Sequence, residues 1–99
     1  MWYAIHAVDI KNTLNKRLAN RPKHLERLKM LQNKGKLFIA GPFPAIDSNN
    51  PGESGFTGSL IIAEFDSLND AKKWVQNDPY FINGVYKNVD VRPFKKSLP

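Results

Sequence analysis

The order of apolar and polar positions predicts six main elements. Residues Trp2 to Val8 form a β-prone, mostly apolar run that predicts a first strand. Asn12 or Thr13 caps a first helical piece carrying Leu14 and Leu18. Pro22 lacks an amide hydrogen and crowds the preceding turn, so a break is expected there. A second piece restarts near Pro22 and runs to Lys34, where Gly35 stops it. Lys36 to Ala40 predicts the second strand. Residues 41–57, broken by Gly41, Pro42, Pro44, Pro51 and Gly52, read as a long loop. Gly58 to Phe65 is a strong third strand. Ser67 and Asp70 make a capping-box-like start, with Asp in place of the commoner Glu. The helix that follows puts Leu68, Ala71, Trp74 and Val75 on one face. Asp78 to Gly84 adds one helical turn, and Val85 to Phe94 predicts the last strand.

The resulting order, β-α-β-β-α-β, is that of a ferredoxin-like α+β sandwich, a single domain over residues 1–99 with both helices on one face of an antiparallel sheet. In the third strand both alternating sets are apolar: Leu60 and Ile62 on one side, Ile61, Ala63 and Phe65 on the other. The first strand behaves alike. Two helices cover only one face, and a half-solvated sheet should alternate with polar residues, so the other face calls for a partner. A homodimer packed sheet to sheet is the simplest answer.

Composition narrows the function classes. The chain is 41% hydrophobic and 24% charged, the balance of a water-soluble domain, and no apolar run approaches the ~20 residues of a membrane span. With no basic lead or cleavage site at the start, a cytoplasmic protein is expected. The absence of cysteine removes disulfides, thiolate catalysis and Cys-type zinc sites. The net charge of +6 raises nucleic acid as a partner, but the basic residues are scattered over helices and tail. RNA-recognition domains share the element order, yet they need aromatics on the open face of the third strand, and here that stretch is Gly58, Ser59, Leu60 and Ile61. Nucleic-acid binding is not expected.

The candidate chemistry centres on His24. At about 100° per residue, Leu25, Leu28 and Leu31 define an inward arc, and His24 falls inside it. Arg21 joins them if the helix extends that far back. A buried imidazole needs a partner, either a backbone carbonyl in a purely packed role or a carboxylate that holds it as a general acid/base. Asp66 and Asp70 belong to the start of the second helix, and Asp47 lies in the loop. Asp78, before Pro79, suits a helix cap, but its second oxygen is free for an imidazole. His24–Asp78 is therefore the first choice of pair. Arg21 offers a planar fork for an anionic substrate group and Ser59 a hydroxyl; each also has a plain reading as a surface or strand residue. The long loop could cover the site. His6 is expected to be structural. No paired-His spacing and no phosphate-binding glycine pattern is present, so neither metal nor cofactor is expected.

Six segments carry a resemblance that runs along nearly the whole chain: Arg21-Pro22-Lys23-His24-Leu25, Ala40-Gly41-Pro42, Gly55 to Ser59 with Ala63-Glu64-Phe65, Asp78-Pro79-Tyr80, Gly84-Val85-Tyr86 and Arg92 to Lys96. Together they resemble the YCII-related proteins. The resemblance implies a dimeric α+β barrel of ferredoxin-like subunits and an active-site histidine and aspartate at His24 and Asp78. Lyase- or dehalogenase-like chemistry belongs to part of that family. Two classes of function follow: an enzyme acting on a small organic acid or ring compound, or a non-catalytic small-ligand or protein-binding module.

Overall fold

Strand β1 (Trp2–Asp9) lies inside the sheet and its odd-numbered residues carry the core. In the computed structural model, which describes residues 1–99, it is followed by α1 (Leu14–Asn33), β2 (Leu37–Pro44), β3 (Phe56–Glu64), α2 (Leu68–Gln76), the single turn α3 (Pro79–Ile82) and β4 (Tyr86–Phe94). The strands form one antiparallel sheet in the order β2-β3-β1-β4. Ile5 and Ala7 of β1 pair with Ile61 and Ser59 of β3, which places one alternating set of both strands against the helices. There Ile5, Ala7, Ile61 and Ala63 pack with Leu28 and Leu31 of α1, Val75 of α2 and Tyr80 of α3.

The other face of the sheet stays open. Trp2 packs against Phe38, with ring centroids 5.7 Å apart, and His6 meets the edge of Phe43 at 5.4 Å. Val8, Phe38, Ile39 and Phe43 are all exposed there. His6 therefore lies away from the helices and away from any cleft between helix and sheet.

Three expectations about element boundaries need correction. First, α1 is one helix of 20 residues with Pro22 inside it. Pro22 and Leu18 are exposed, so the Leu18 carbonyl that Pro22 cannot serve faces water. Buried polar contacts by Arg17 before the proline and His24 after it hold both halves on one axis. Second, β2 runs on through Gly41, Pro42, Phe43 and Pro44, in register with Leu60, Ser59, Gly58 and Phe56. It is an edge strand, the place in a sheet that tolerates proline. Third, the loop is correspondingly shorter. The amide of Ala45 donates to the Gly55 carbonyl at 2.9 Å, and a short 3₁₀ turn spans Gly52–Ser54.

Candidate functional site

Because α1 continues through Pro22, its inward stripe is Arg17, Arg21, His24, Leu28 and Leu31, spaced alternately four and three residues apart. The last two fill the core. The first three face a cavity of about 380 Å³ between α1 and the sheet, whose apolar wall includes Leu25, Pro42, Phe56 and Ile61. The loop expected to cover this space does not reach it; only Gly41, Pro42 and Phe56 at its roots line the cavity.

Asp78 is the most buried charged residue of the site, at 0% exposure. Its position follows from local chain chemistry. As the N-cap of α3, with Pro79 in the first turn, it accepts the Tyr80 amide on Oδ1 at 2.9 Å. The carboxylate also receives His24 Nδ1, at 2.9 Å from Oδ1 and 3.0 Å from Oδ2. A third donor, Arg27 Nη1, reaches Oδ2 at 3.1 Å, while Arg27 Nη2 serves the Trp74 carbonyl at 2.8 Å. An ionised carboxylate is only an acceptor, so Nδ1 carries the hydrogen and the neutral ring has its lone pair on Nε2. No protein group bonds Nε2, and it is not among the sealed, unpartnered atoms of the interior. It opens on the cavity that His24 lines.

A second polar cluster shares the cavity. Arg17, 5% exposed, donates from Nε to Asp9 Oδ2 at 2.9 Å and from Nη2 to Asp9 Oδ1 at 3.2 Å. The same Nη2 reaches the Gly58 carbonyl at 3.1 Å and Ser59 Oγ at 2.8 Å. Gly58 permits the close approach of β3 to β1 at this point, because a Cβ there would overlap the Ala7 carbonyl oxygen. Tyr80 joins the two clusters: His24 stacks on its ring at 4.0 Å and 17°, and the Arg17 guanidinium lies 4.7 Å from its centroid. Burial pushes the Tyr80 phenol up from its ordinary value, against the pull of Arg17 and Arg21. At neutral pH it is a hydroxyl.

The structure thus brings together His24 and Asp78, and places Arg21 and Ser59 on the same cavity. Asp47, Asp66 and Asp70 do not reach His24; the Asp70 amide instead bonds Ser67 Oγ as a cap. The sequence reading missed Arg17, Asp9, Arg27 and Tyr80. Arg17 stands seven positions before His24, and an unbroken helix would have put it on the same stripe. No gathering of three or more His, Asp or Glu side chains forms a metal-binding set. No helix is long and apolar enough to cross a membrane.

Comparisons with known proteins converge on one family. The YCII-related domain matches residues 1–95. A protein named YciI from Escherichia coli O6:H1 is 55% identical over 96 residues, covering 97% of this chain and 98% of its own length. A Haemophilus influenzae protein is 58% identical over the same span. Among solved structures, the 5-chloro-2-hydroxyhydroquinone dehydrochlorinase TftG from Burkholderia phenoliruptrix AC1100, in complex with 2,5-dihydroxybenzoquinone, superposes with a TM-score of 0.83. It is 28% identical, covering 96% of this chain and 94% of that one. With the domain spanning nearly every residue and relatives above half identity along the full length, the chain belongs to the YCII-related family.

Proposed function

We propose that this protein is a small-molecule enzyme in which His24 moves a proton and Asp78 holds it in the required tautomer. The observation that carries the reading is the His24–Asp78 contact itself: Nδ1 is tied to a fully buried carboxylate while Nε2 opens on a cavity. A surface imidazole could meet neither condition. The fold's similarity to a dehydrochlorinase supports elimination as the reaction type. Loss of HCl takes a proton to a base and lets chloride leave with its bonding electron pair. It needs no electron carrier, so the residues of the cavity suffice for its balance. The subunit has the α+β arrangement of a ferredoxin-like half-barrel, and its open apolar sheet face fits a second copy.

The test uses 2,5-dihydroxybenzoquinone in D₂O. Acceleration of ring hydrogen exchange by the protein, lost in His24→Gln, is the expected result. Nitrogen-15 spectra should show the Nδ1–H tautomer of His24 in the parent chain and a mixed population in Asp78→Asn. Exchange no faster than in buffer, with His24 unperturbed by the compound, would overturn the enzymatic reading in favour of a non-catalytic binding module. Chloride release from 5-chloro-2-hydroxyhydroquinone extends the same assay to elimination.

A further inference from the structure

We infer that Arg17 and Ser59 form an anion-binding end of the cavity, so that its ligands are single-ring or similarly compact compounds bearing a negatively charged oxygen. The inference rests on the cavity proposed above as the site, and it names the class of compound that site takes.

Not every donor is spent. Asp9 occupies the Nε and Nη2 edge of Arg17, and Nη2 also serves Gly58 and Ser59; Nη1 makes none of these bonds, and the Tyr80 hydroxyl is the protein group beside the guanidinium. The side chain is nearly buried, yet Nη1 is not among the sealed, unpartnered atoms of the interior. It therefore keeps open space beside it, and Arg17 lines the cavity. An anionic oxygen in that space would take a charge-assisted hydrogen bond from it. Ser59 behaves alike. Its Oγ accepts from Arg17, so its own hydrogen is turned either into the cavity that Ser59 lines or toward the neighbouring Tyr86 hydroxyl, and a ligand oxygen competes with that hydroxyl for it.

Charge leads to the same conclusion. Three guanidiniums, those of Arg17, Arg21 and Arg27, stand around the site against two carboxylates, Asp9 and Asp78. Arg21 has no carboxylate partner and no acidic residue lines the cavity. The cavity wall is therefore net positive, and Arg21, exposed at its edge, adds to the attraction for an anion.

Size and spacing fit a ring. Arg17 and His24 lie within 4.7 Å of the centre of the same Tyr80 ring, and the remaining walls are largely apolar. A flat ligand can set its oxygen on Arg17 and Ser59 while an acidic C–H or O–H meets His24 Nε2. When His24 takes that proton, the ligand's negative charge grows, and the guanidinium already in place at the other end stabilises it electrostatically.

Two probes of matched shape separate anion binding from packing: 4-nitrophenol, whose ionisation is visible by absorbance, and neutral 4-nitroaniline. The expected result is a preference for the phenolate of about tenfold or more, with the bound phenol ionising at lower pH than the free one. The preference should survive in His24→Gln and vanish in Arg17→Gln. Because Arg17→Gln leaves Asp9 buried without its partner, the double variant Asp9→Asn/Arg17→Gln provides a folded control. Equal binding of the two probes, no binding of either at millimolar concentration, or a preference that outlives Arg17 would each overturn the inference. Hydrogen exchange by a protein that accepts both probes equally would sink this inference alone. Phenolate preference without any exchange would sink the enzymatic reading alone.

Discussion

At the scale of single residues, Tyr86 is the one buried side chain with a sealed, unpartnered polar atom. Its hydroxyl is shut in behind the site; burial pushes the phenol well above its ordinary range, and the nearby Ser59 hydroxyl offsets only part of that. A buried hydroxyl without a partner costs about 1–3 kcal/mol, whereas the ring itself packs in the core. Tyr86→Phe should therefore hold or raise stability, by about 1 kcal/mol, in urea unfolding. The phenols of Tyr80 and Tyr86 are both raised from an ordinary value of 10.0. The folded chain keeps these protons after the unfolded chain has released them. Their contribution to stability is thus intact below pH about 10 and is lost as pH rises toward the folded values. Circular dichroism and phenolate absorbance followed together should show the two tyrosines ionising as the fold is lost, at a higher pH in Tyr86→Phe.

At the scale of elements, α1 and β3 hold the two halves of the site and each contains one revealing residue. Pro22 interrupts the α1 hydrogen-bond ladder at an exposed position, where its neighbours' buried contacts override a preference worth about 3 kcal/mol. Pro22→Ala restores the amide that the Leu18 carbonyl lacks. Allowing for the greater freedom of the unfolded chain, a gain of about 2 kcal/mol is expected, with probe binding unchanged. Gly58 has no such latitude. Any Cβ there meets the Ala7 backbone, which belongs to the centre of the sheet and cannot give way. Gly58→Ala should cost more than about 2 kcal/mol and displace Ser59, lowering thermal stability and weakening phenolate binding together.

At the scale of the whole molecule, the sheet divides two kinds of surface. One face is closed by helices and holds the cavity; the other exposes Val8, Phe38, Ile39 and Phe43 around His6. Sedimentation equilibrium should find a dimer in the proposed sheet-to-sheet arrangement. Ile39→Lys, on the exposed face and away from the cavity, should shift the population toward monomer. A monomeric parent chain would leave that face to a different partner.

Much of this was decided by local chemistry and could be read along the chain. The apolar runs of β1 and β3, the Ser67 cap, and Asp78 before Pro79 each depend on neighbours within a turn or on strand alternation, so the element order was legible. So was the inward direction of His24, since helical geometry sets it. Two local rules failed where distant residues outweighed them. Pro22 did not break α1, because contacts with β1 and β3 outweighed its cost, and the prolines of β2 did not end that strand, because an edge position tolerates them. The break expected at Pro22 concealed Arg17, which is on the cavity only because the helix is continuous. Of the pairings across the fold the sequence put forward only His24 with Asp78; the others were beyond it. Asp9 with Arg17 spans the β1–α1 turn and Arg17 with Ser59 crosses from helix to sheet, while His24 and Arg27 meet Asp78 across α1 and α3. Sequence set which groups were available and which way each turned; only tertiary packing, by choosing which elements lie side by side, decided which charges meet and which donors remain open to a ligand.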